Sequence, residues 1–373
     1  MAEGNGAAAT LITGSDFLMP PFTYTALPSK VTFGAGALGQ LGAEISALGC
    51  RRALLLSTPE QAGTVEALRD TLGDLAVGVF TGAVMHTPVD VTAAAVRVAT
   101  DLDADCLVSL GGGSTIGLGK AIALRTDLPQ IAIPTTYAGS EATPILGQTE
   151  NGVKTTQRTL KVLPEVILYD VDLTLTLPTA MTVTSAMNAM AHAAEGLYAR
   201  DGNPVIAMIA EDGLRALARA LPAIIAEPTD RDARSDALYG AWACGTTLGV
   251  VGMSLHHKLC HVLGGAFDLP HAETHTVVLP HAMAYNAAAA PQAMDRIARA
   301  IGAADAANGL FDLARSLNAP VSLASLGMPA DGIDRAIELV LSAPYWNPEP
   351  LEETRLRRLL ENAYSGARPE LPA

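Results

Sequence analysis

The chain of 373 residues is predicted to fold as an α/β protein, with an N-terminal parallel-sheet domain followed by an all-helical domain. Three observations lead there. The length is too great for one ordinary core and suits two. Through the first half, apolar runs alternate with amphipathic stretches, the pattern of βαβ units in a parallel sheet. After about residue 180 the strand-like runs stop, and Ala- and Leu-rich helical periodicity takes over.

In order, "KVTFG" (30–34) reads as a strand and "GALGQLGAEISALG" (36–49) as a helix stopped by glycine. "RRALLLST" (51–58) is a buried strand, 60–73 a helix, "VGVFTG" (77–82) a strand and 89–102 an amphipathic helix. "DCLVSLGGGST" (105–115) is a strand running into a glycine loop, and "IGLGKAIAL" (116–124) continues as a helix. "QIAIPTT" (130–136) and "EVILYD" (165–170) are further strands. Helices are expected at 181–199, 204–226, 233–250, 254–264, 292–317 and 352–364. Pro178 marks the junction, so the chain divides into a loose extension at 1–20, an α/β domain at 21–178 and a helical domain at 179–373. No flexible Gly/Ser linker separates the two domains, which are expected to pack closely around a cleft.

Composition narrows the function. A net charge of −14 argues against nucleic acid as a partner. The same charge means that an anionic substrate must be captured by a local cationic pocket, not steered from afar. Cys50, Cys106, Cys244 and Cys260 lie far apart with no CxxC, as expected of reduced thiols in a cytoplasmic protein. No run of about 18 apolar residues signals a membrane span. The N-terminus lacks the basic and apolar regions of a signal peptide.

"SLGGGSTIGLGK" (109–120) follows a buried strand and opens a helix. Gly111, Gly112 and Gly113 let backbone approach an anion. Ser114 and Thr115 can donate to it where a helix N-terminus favours negative charge. The spacing is neither GxGxxG nor GxxxxGK[ST], and a plain strand-to-helix turn is the competing explanation. "PTTYAGSEATP" (134–144) follows the next strand in the same manner, offering Thr135, Thr136 and Ser140. Two such loops at adjacent strand ends describe the crevice where open α/β sheets bind nucleotides. The strand at 51–58 ends in Ser57 and Thr58 with no carboxylate to repel a ribose 2′-phosphate, so NADH and NADPH are both expected to be accepted.

In the helical half, Asn188 and His192 stand four apart on one helix face, as do His257 and His261, and His271 follows. Such a set invites a divalent metal, yet a neutral amide stands where a carboxylate would supply charge.

Together these stretches, with "LPEVILYDVDLTLTLP", "MNAMAHAAEGLYA" and "HHKLCHVLGGAFDLPHAETHTVVLPH", resemble the iron-containing (group III) alcohol dehydrogenase family over residues 22 to 366. Within it, "FTYTALPSKVTFGAG", "VMHTPV", "TTYAGSEATPI" and "YWNPEP" look most like the maleylacetate reductase branch. The resemblance implies a Rossmann-like nucleotide domain, an all-helical C-terminal domain (the dehydroquinate synthase-like architecture) and a homodimer. Metal-dependent members hold iron or zinc at the positions of Asn188, His192, His257 and His271. The branch does without a metal, and none is expected here. His261 matches a histidine placed near the chemistry, and Lys154 a lysine near the nicotinamide.

The implied reaction is reduction of the C=C bond of maleylacetate, a dianionic substrate, to 3-oxoadipate by NADH or NADPH in aromatic catabolism. Hydride at the far alkene carbon leaves an enolate on the ketone oxygen, which needs hydrogen-bond donors and a proton nearby. His192, His257, His261 and His271 are expected to form a cationic substrate pocket, with one as proton donor. Tyr137 and Lys154 are second candidates. His86, His256, His275 and His281 are expected to be structural, and "YWNP" (345–348) to edge the substrate site. The competing enzyme is a metal-dependent alcohol dehydrogenase on the same fold. A dehydroquinate synthase-like lyase would recycle its bound NAD⁺, so net consumption of coenzyme separates it.

Overall fold

The computed structural model describes residues 21–150, 153–342 and 345–371, and no side chain from 150 to 154. The expected extension at 1–20 lies outside the described residues. Six parallel strands form the sheet: β1 (Lys30–Phe33), β2 (Ala53–Leu56), β3 (Ala76–Phe80), β4 (Cys106–Gly111), β5 (Gln130–Pro134) and β8 (Val166–Tyr169). Their order is β1-β8-β5-β4-β2-β3. The helices between them are α1 (Leu41–Ala47), α2 (Ala62–Leu72), α3 (Val89–Asp101) and α4 (Gly113–Thr126). Every residue of β2, β4, β5 and β8 is buried, which is why these strands read as unbroken apolar runs. The chain runs outward from β2 to β3, then returns to place β4 on the other side of β2. The crevice of the sheet therefore opens at the carboxyl ends of β2 and β4.

Sequence analysis missed one hairpin, β6 (Ile145–Glu150) with β7 (Val153–Arg158), paired antiparallel from Ile145↔Arg158 to Glu150↔Val153. Its signal was present, since Asn-Gly at 151–152 is the preferred two-residue hairpin turn.

The helical half comprises α5 (Thr179–Gly196), α6 (Pro204–Ala226), α7 (Arg231–Val250), α8 (Leu255–Phe267), α9 (His271–Asn286), α10 (Pro291–Ile301), α11 (Ala306–Ser316), α12 (Gly332–Leu341) and α13 (Glu353–Ser365). Side-chain caps fix several starts: Asn203 accepts from the Ile206 amide, Asp230 from those of Asp232 and Ala233, and Asp305 from that of Asn308. The single helix expected at 292–317 is two, broken after Ile301 where Gly302 takes φ +70°. Helices α9 and α12 were not foreseen. Residues 274–286 of α9 are buried on all sides, so no amphipathic period could show. At the centre lies α5, buried continuously from Thr182 to Gly196. Its alanines let α6, α7 and α9 approach closely. Among the described residues no single helix is long and apolar enough to cross a membrane.

Three contacts lock the halves together. Arg158, ending β7, donates to the carbonyl oxygens of Leu248, Gly249 and Val251 at the end of α7. Buried Arg234 of α7 donates to the Leu177 carbonyl oxygen, the Thr182 hydroxyl and the Tyr137 phenol. Gly139, at φ +79°, abuts Gly245 so closely that a Cβ on Gly245 would lie 2.2 Å from the Gly139 carbonyl oxygen. Backbone on one side and a packed helix on the other leave no room to give. Gly245→Ala is therefore expected to destabilise the protein by about 1–3 kcal/mol. The reading is thermal melting; an unchanged melting temperature would show that the junction is not tight.

Candidate active site

A cavity of about 600 Å³ separates the two halves. On the sheet side it is lined by Gly113, Ser114 and Gly117 of α4, by Thr136, Ala138 and Ser140 of the second loop, and by the β6–β7 hairpin. His86, expected to be structural, also faces it. The three glycines of the loop differ in purpose. Gly111 has φ +154°, and a Cβ there would lie 2.4 Å from Thr115 Oγ1. A Cβ on Gly112 would lie 2.9 Å from Thr136 Cγ2. A Cβ on Gly113 meets no protein atom within 4 Å. Gly111 and Gly112 thus serve the packing of the loop, while Gly113 leaves space in the cleft at the start of a helix. Ser140 Oγ is buried with no protein partner, a donor available to a ligand. These features suit the pyrophosphate of a dinucleotide.

Other expected nucleotide ligands lie elsewhere. Thr115 is fully buried against Gly111. Thr135 accepts from Gln61 Nε2 at 3.1 Å, so Gln61, not foreseen, ties α2's approach to the loop. Ser57 is buried and donates to the carbonyl oxygen of Thr58. Neither residue lines the cavity, although both sit at the carboxyl end of β2 beside it.

Lys120, the last residue of the glycine-loop motif, was also missed. Its ammonium is buried and donates to the carbonyl oxygens of Ser140 (2.5 Å), Thr143 (2.7 Å) and Ile145 (3.0 Å) and to Thr143 Oγ1 (3.0 Å), stitching the second loop to α4. Burial pushes it down to about 7, against the pull of Glu141. Lys154, the lysine expected near the nicotinamide, stands in β7 opposite Thr149; its side chain lies outside the described residues. Tyr137 does not line the cleft: it is packed in the helical core with its phenol on Arg234.

The helical wall brings Asn188, His192, His257, His261 and His271 together as expected. What organises them is a residue the sequence analysis passed over, Glu195. Asn188, His192 and Glu195 form an i, i+4, i+7 stripe on otherwise apolar α5. The Glu195 carboxylate sits on the N-terminus of α8, accepting from the amides of Ser254 (3.1 Å), His256 (2.8 Å) and His257 (3.3 Å) and from Ser254 Oγ (2.8 Å). Tyr198 donates at 3.2 Å, and His257 Nδ1 at 2.6 Å. Burial alone would raise this carboxyl. The hydrogen bond and charge of His257, with the Ser254 amide, outweigh burial and hold it far below the usual carboxylate range.

From His257 the chain continues, its Nε2 lying 2.9 Å from His192 Nδ1. The backbone of Ala138 bonds the His192 ring in turn. Burial, then the neighbouring imidazoles, push His192 well below the ordinary histidine range. His256 and His275 are buried and lowered likewise. Of the four histidines expected to form a cationic pocket, His192 is therefore the one that burial most disfavours as an imidazolium. Among the described residues, the lasting positive charge facing the cleft is Arg158, exposed, with three carbonyl bonds made and two N–H donors left. Glu273 lines the same cavity.

A family metal does not fit this arrangement. The side chains at the four family positions are three imidazoles and an amide, with no anion among them. Asn188 adds no charge, only a buried amide oxygen without a partner. Tyr345 and Asn347 of "YWNP" lie behind the site: Lys258 stands 5.6 Å over the Tyr345 ring, and Asn347 pairs with Asn286.

Residues 28–171 match the iron-containing alcohol dehydrogenase model, and 182–364 match the C-terminal model of the Fe-containing alcohol dehydrogenase family. The maleylacetate reductase of Rhizobium sp. (strain MTP-10005) is 59% identical over 352 residues, 94% of this chain and all of that one. That of Burkholderia cepacia is 59% identical over 351 residues, with the same coverage. The crystal structure of maleylacetate reductase from Agrobacterium tumefaciens superposes with a TM-score of 0.92 at 60% identity, covering 94% of this chain and 100% of that one. The chain belongs to the iron-containing alcohol dehydrogenase family, among the maleylacetate reductases.

Proposed function

We propose that the protein reduces the C=C bond of maleylacetate to 3-oxoadipate with NADH or NADPH, and that its own residues replace the family metal. The observation that carries this reading is the Glu195–His257–His192 chain opening on the cleft beside Asn188. The glycine loop at Gly113 and Ser114, with Ser140, would hold the coenzyme, which supplies the hydride when bound.

The remaining work falls to side chains. Arg158 offers its two spare donors to a carboxylate of the dianion. As enolate charge develops on the ketone oxygen, an imidazole N–H turns to it, exchanging the His192–His257 hydrogen bond for that contact. His257 is the proton donor in this reading, because its Nδ1 rests on the Glu195 carboxylate, which fixes its ring, and its Nε2 can leave His192 for the substrate. Glu195 touches no substrate; it is a positioning residue. The dry wall around it keeps these interactions strong.

The direct test is oxidation of NADH and of NADPH on adding maleylacetate, with and without a strong chelator. Turnover that chelation leaves unchanged is expected. Loss on chelation, restored by iron or zinc, would overturn the metal-free mechanism in favour of the metal-dependent alternative.

Gly113→Val starts a side chain in open cleft space, where its Cβ meets no protein atom within 4 Å. Melting should stay within a degree or two of the parent while coenzyme binding is lost. Retained coenzyme affinity would remove the dinucleotide from this loop.

Glu195→Gln should lower kcat by about 10²–10⁴-fold, the usual worth of a positioned proton donor, with coenzyme affinity unchanged. Glu195→Asp, which keeps the charge, should recover part of the rate. Equal kcat in the parent and Gln variants would show that the carboxylate only holds the fold.

A further inference from the structure

Behind the cleft wall, α8 and α9 bring together three side chains that the mechanism does not use. His256 and Cys260 stand one turn apart on α8, and His275 meets them from α9. All three are essentially fully buried. His256 Nε2 lies 2.9 Å from His275 Nδ1, and Cys260 Sγ lies 3.7 Å from the same His256 nitrogen. One potential ligand atom from each residue lies within 4.8 Å of the other two. Around tetrahedral zinc, with about 2.0–2.1 Å to nitrogen and about 2.3 Å to sulfur, neighbouring ligand atoms stand roughly 3.3–3.6 Å apart. The two rings need part by only about half an ångström to admit the ion, and the sulfur already stands near the required separation from His256 Nε2.

Binding through the inner nitrogens, His256 Nε2 and His275 Nδ1, leaves the outer ones, His256 Nδ1 and His275 Nε2, as N–H groups; both are buried with no hydrogen-bond partner, so the site rests on the spacing of the three inner atoms. The donor set of two imidazoles and one thiol, with no carboxylate, selects for borderline or soft cations over magnesium or calcium.

We propose that His256, Cys260 and His275 form a buried thiolate–bis-imidazole site for one zinc ion, separate from Asn188, His192, His257 and His271. Cys260 releases its thiol proton to solvent as the ion binds, and the two rings exchange their mutual hydrogen bond for coordination. The site is structural. It fastens α8 to α9 directly behind His257 and His271, whose rings lie 5.1 Å and 4.4 Å from that of His275.

The test uses native protein stripped with a chelator, reloaded with one equivalent of zinc, desalted, and measured by X-ray absorption at the zinc edge, a readout independent of turnover. One sulfur and two or three nitrogen or oxygen neighbours are expected. A shell without sulfur would put the ion in the cleft. Two sulfurs would put it at Cys50 and Cys106, which lie together with Asp105. Zinc that does not survive desalting would mean no site. Each of these three results overturns the proposal. Cys260→Ala should lose the sulfur neighbour and the rise in melting temperature that zinc gives the parent. If that variant does not fold, the absorption spectrum of the native protein decides alone.

Discussion

The ionised carboxylate of Glu195, set on the N-terminus of α8, is the interaction on which the catalytic wall depends. An isolated buried carboxylate costs several kcal/mol even after the protein relaxes around it. Six donors reach this one, from Tyr198, Ser254, His256 and His257. At about 1.5–3 kcal/mol for each bond to a charged group, their sum is on the order of 10 kcal/mol, enough to keep the group ionised. The dependence runs both ways. The first amides of α8 have no partner within the helix, and Ser254 makes no side-chain cap of its own. Glu195 is that cap. The contact which starts α8 also fixes where its histidines point.

From this follows the behaviour of the site that lacks a metal ligand. A divalent ion would need lone pairs from both His192 and His257 and an anion from position 188. Here position 188 is an amide, and no other family position supplies an anion. The negative charge that an aspartate would bring to the mouth of the site is instead held one turn deeper, at Glu195, where it acts through His257. A carboxylate at the mouth would repel a dianionic substrate. The same charge behind an imidazole polarises a donor without facing the substrate.

The parallel sheet was legible because its central strands are buried on both faces and so appear as uninterrupted apolar runs. The helix at 271–286 was illegible for the complementary reason: buried on all sides, it carries histidines and a proline and no periodic stripe. The cleft histidines were legible from their four-residue spacing and from resemblance. Glu195 was visible as a third polar residue on an apolar helix, yet its meaning rests on contacts 59 to 62 residues away in the chain. Lys120 ends a recognisable motif, but its task depends on how the loop at 140–145 folds back over it. Ser57 was legible as a strand tip near the crevice, but a strand tip does not tell which way its hydroxyl turns, here to the Thr58 carbonyl oxygen.

Charge completes the connection between sequence and chemistry. A net charge of −14 opposes the approach of a dianion at long range, but screening confines that effect to roughly 8 Å at physiological ionic strength. Capture is then decided inside the cleft, where Arg158 is fixed by the end of α7 and keeps two donors. Buried histidines are poor attractors, since burial strips them of charge; they are good donors to a charge that arises during the reaction. The division of labour follows from burial: the exposed guanidinium binds the substrate's standing charge, and the buried imidazoles meet the charge that develops in the transition state.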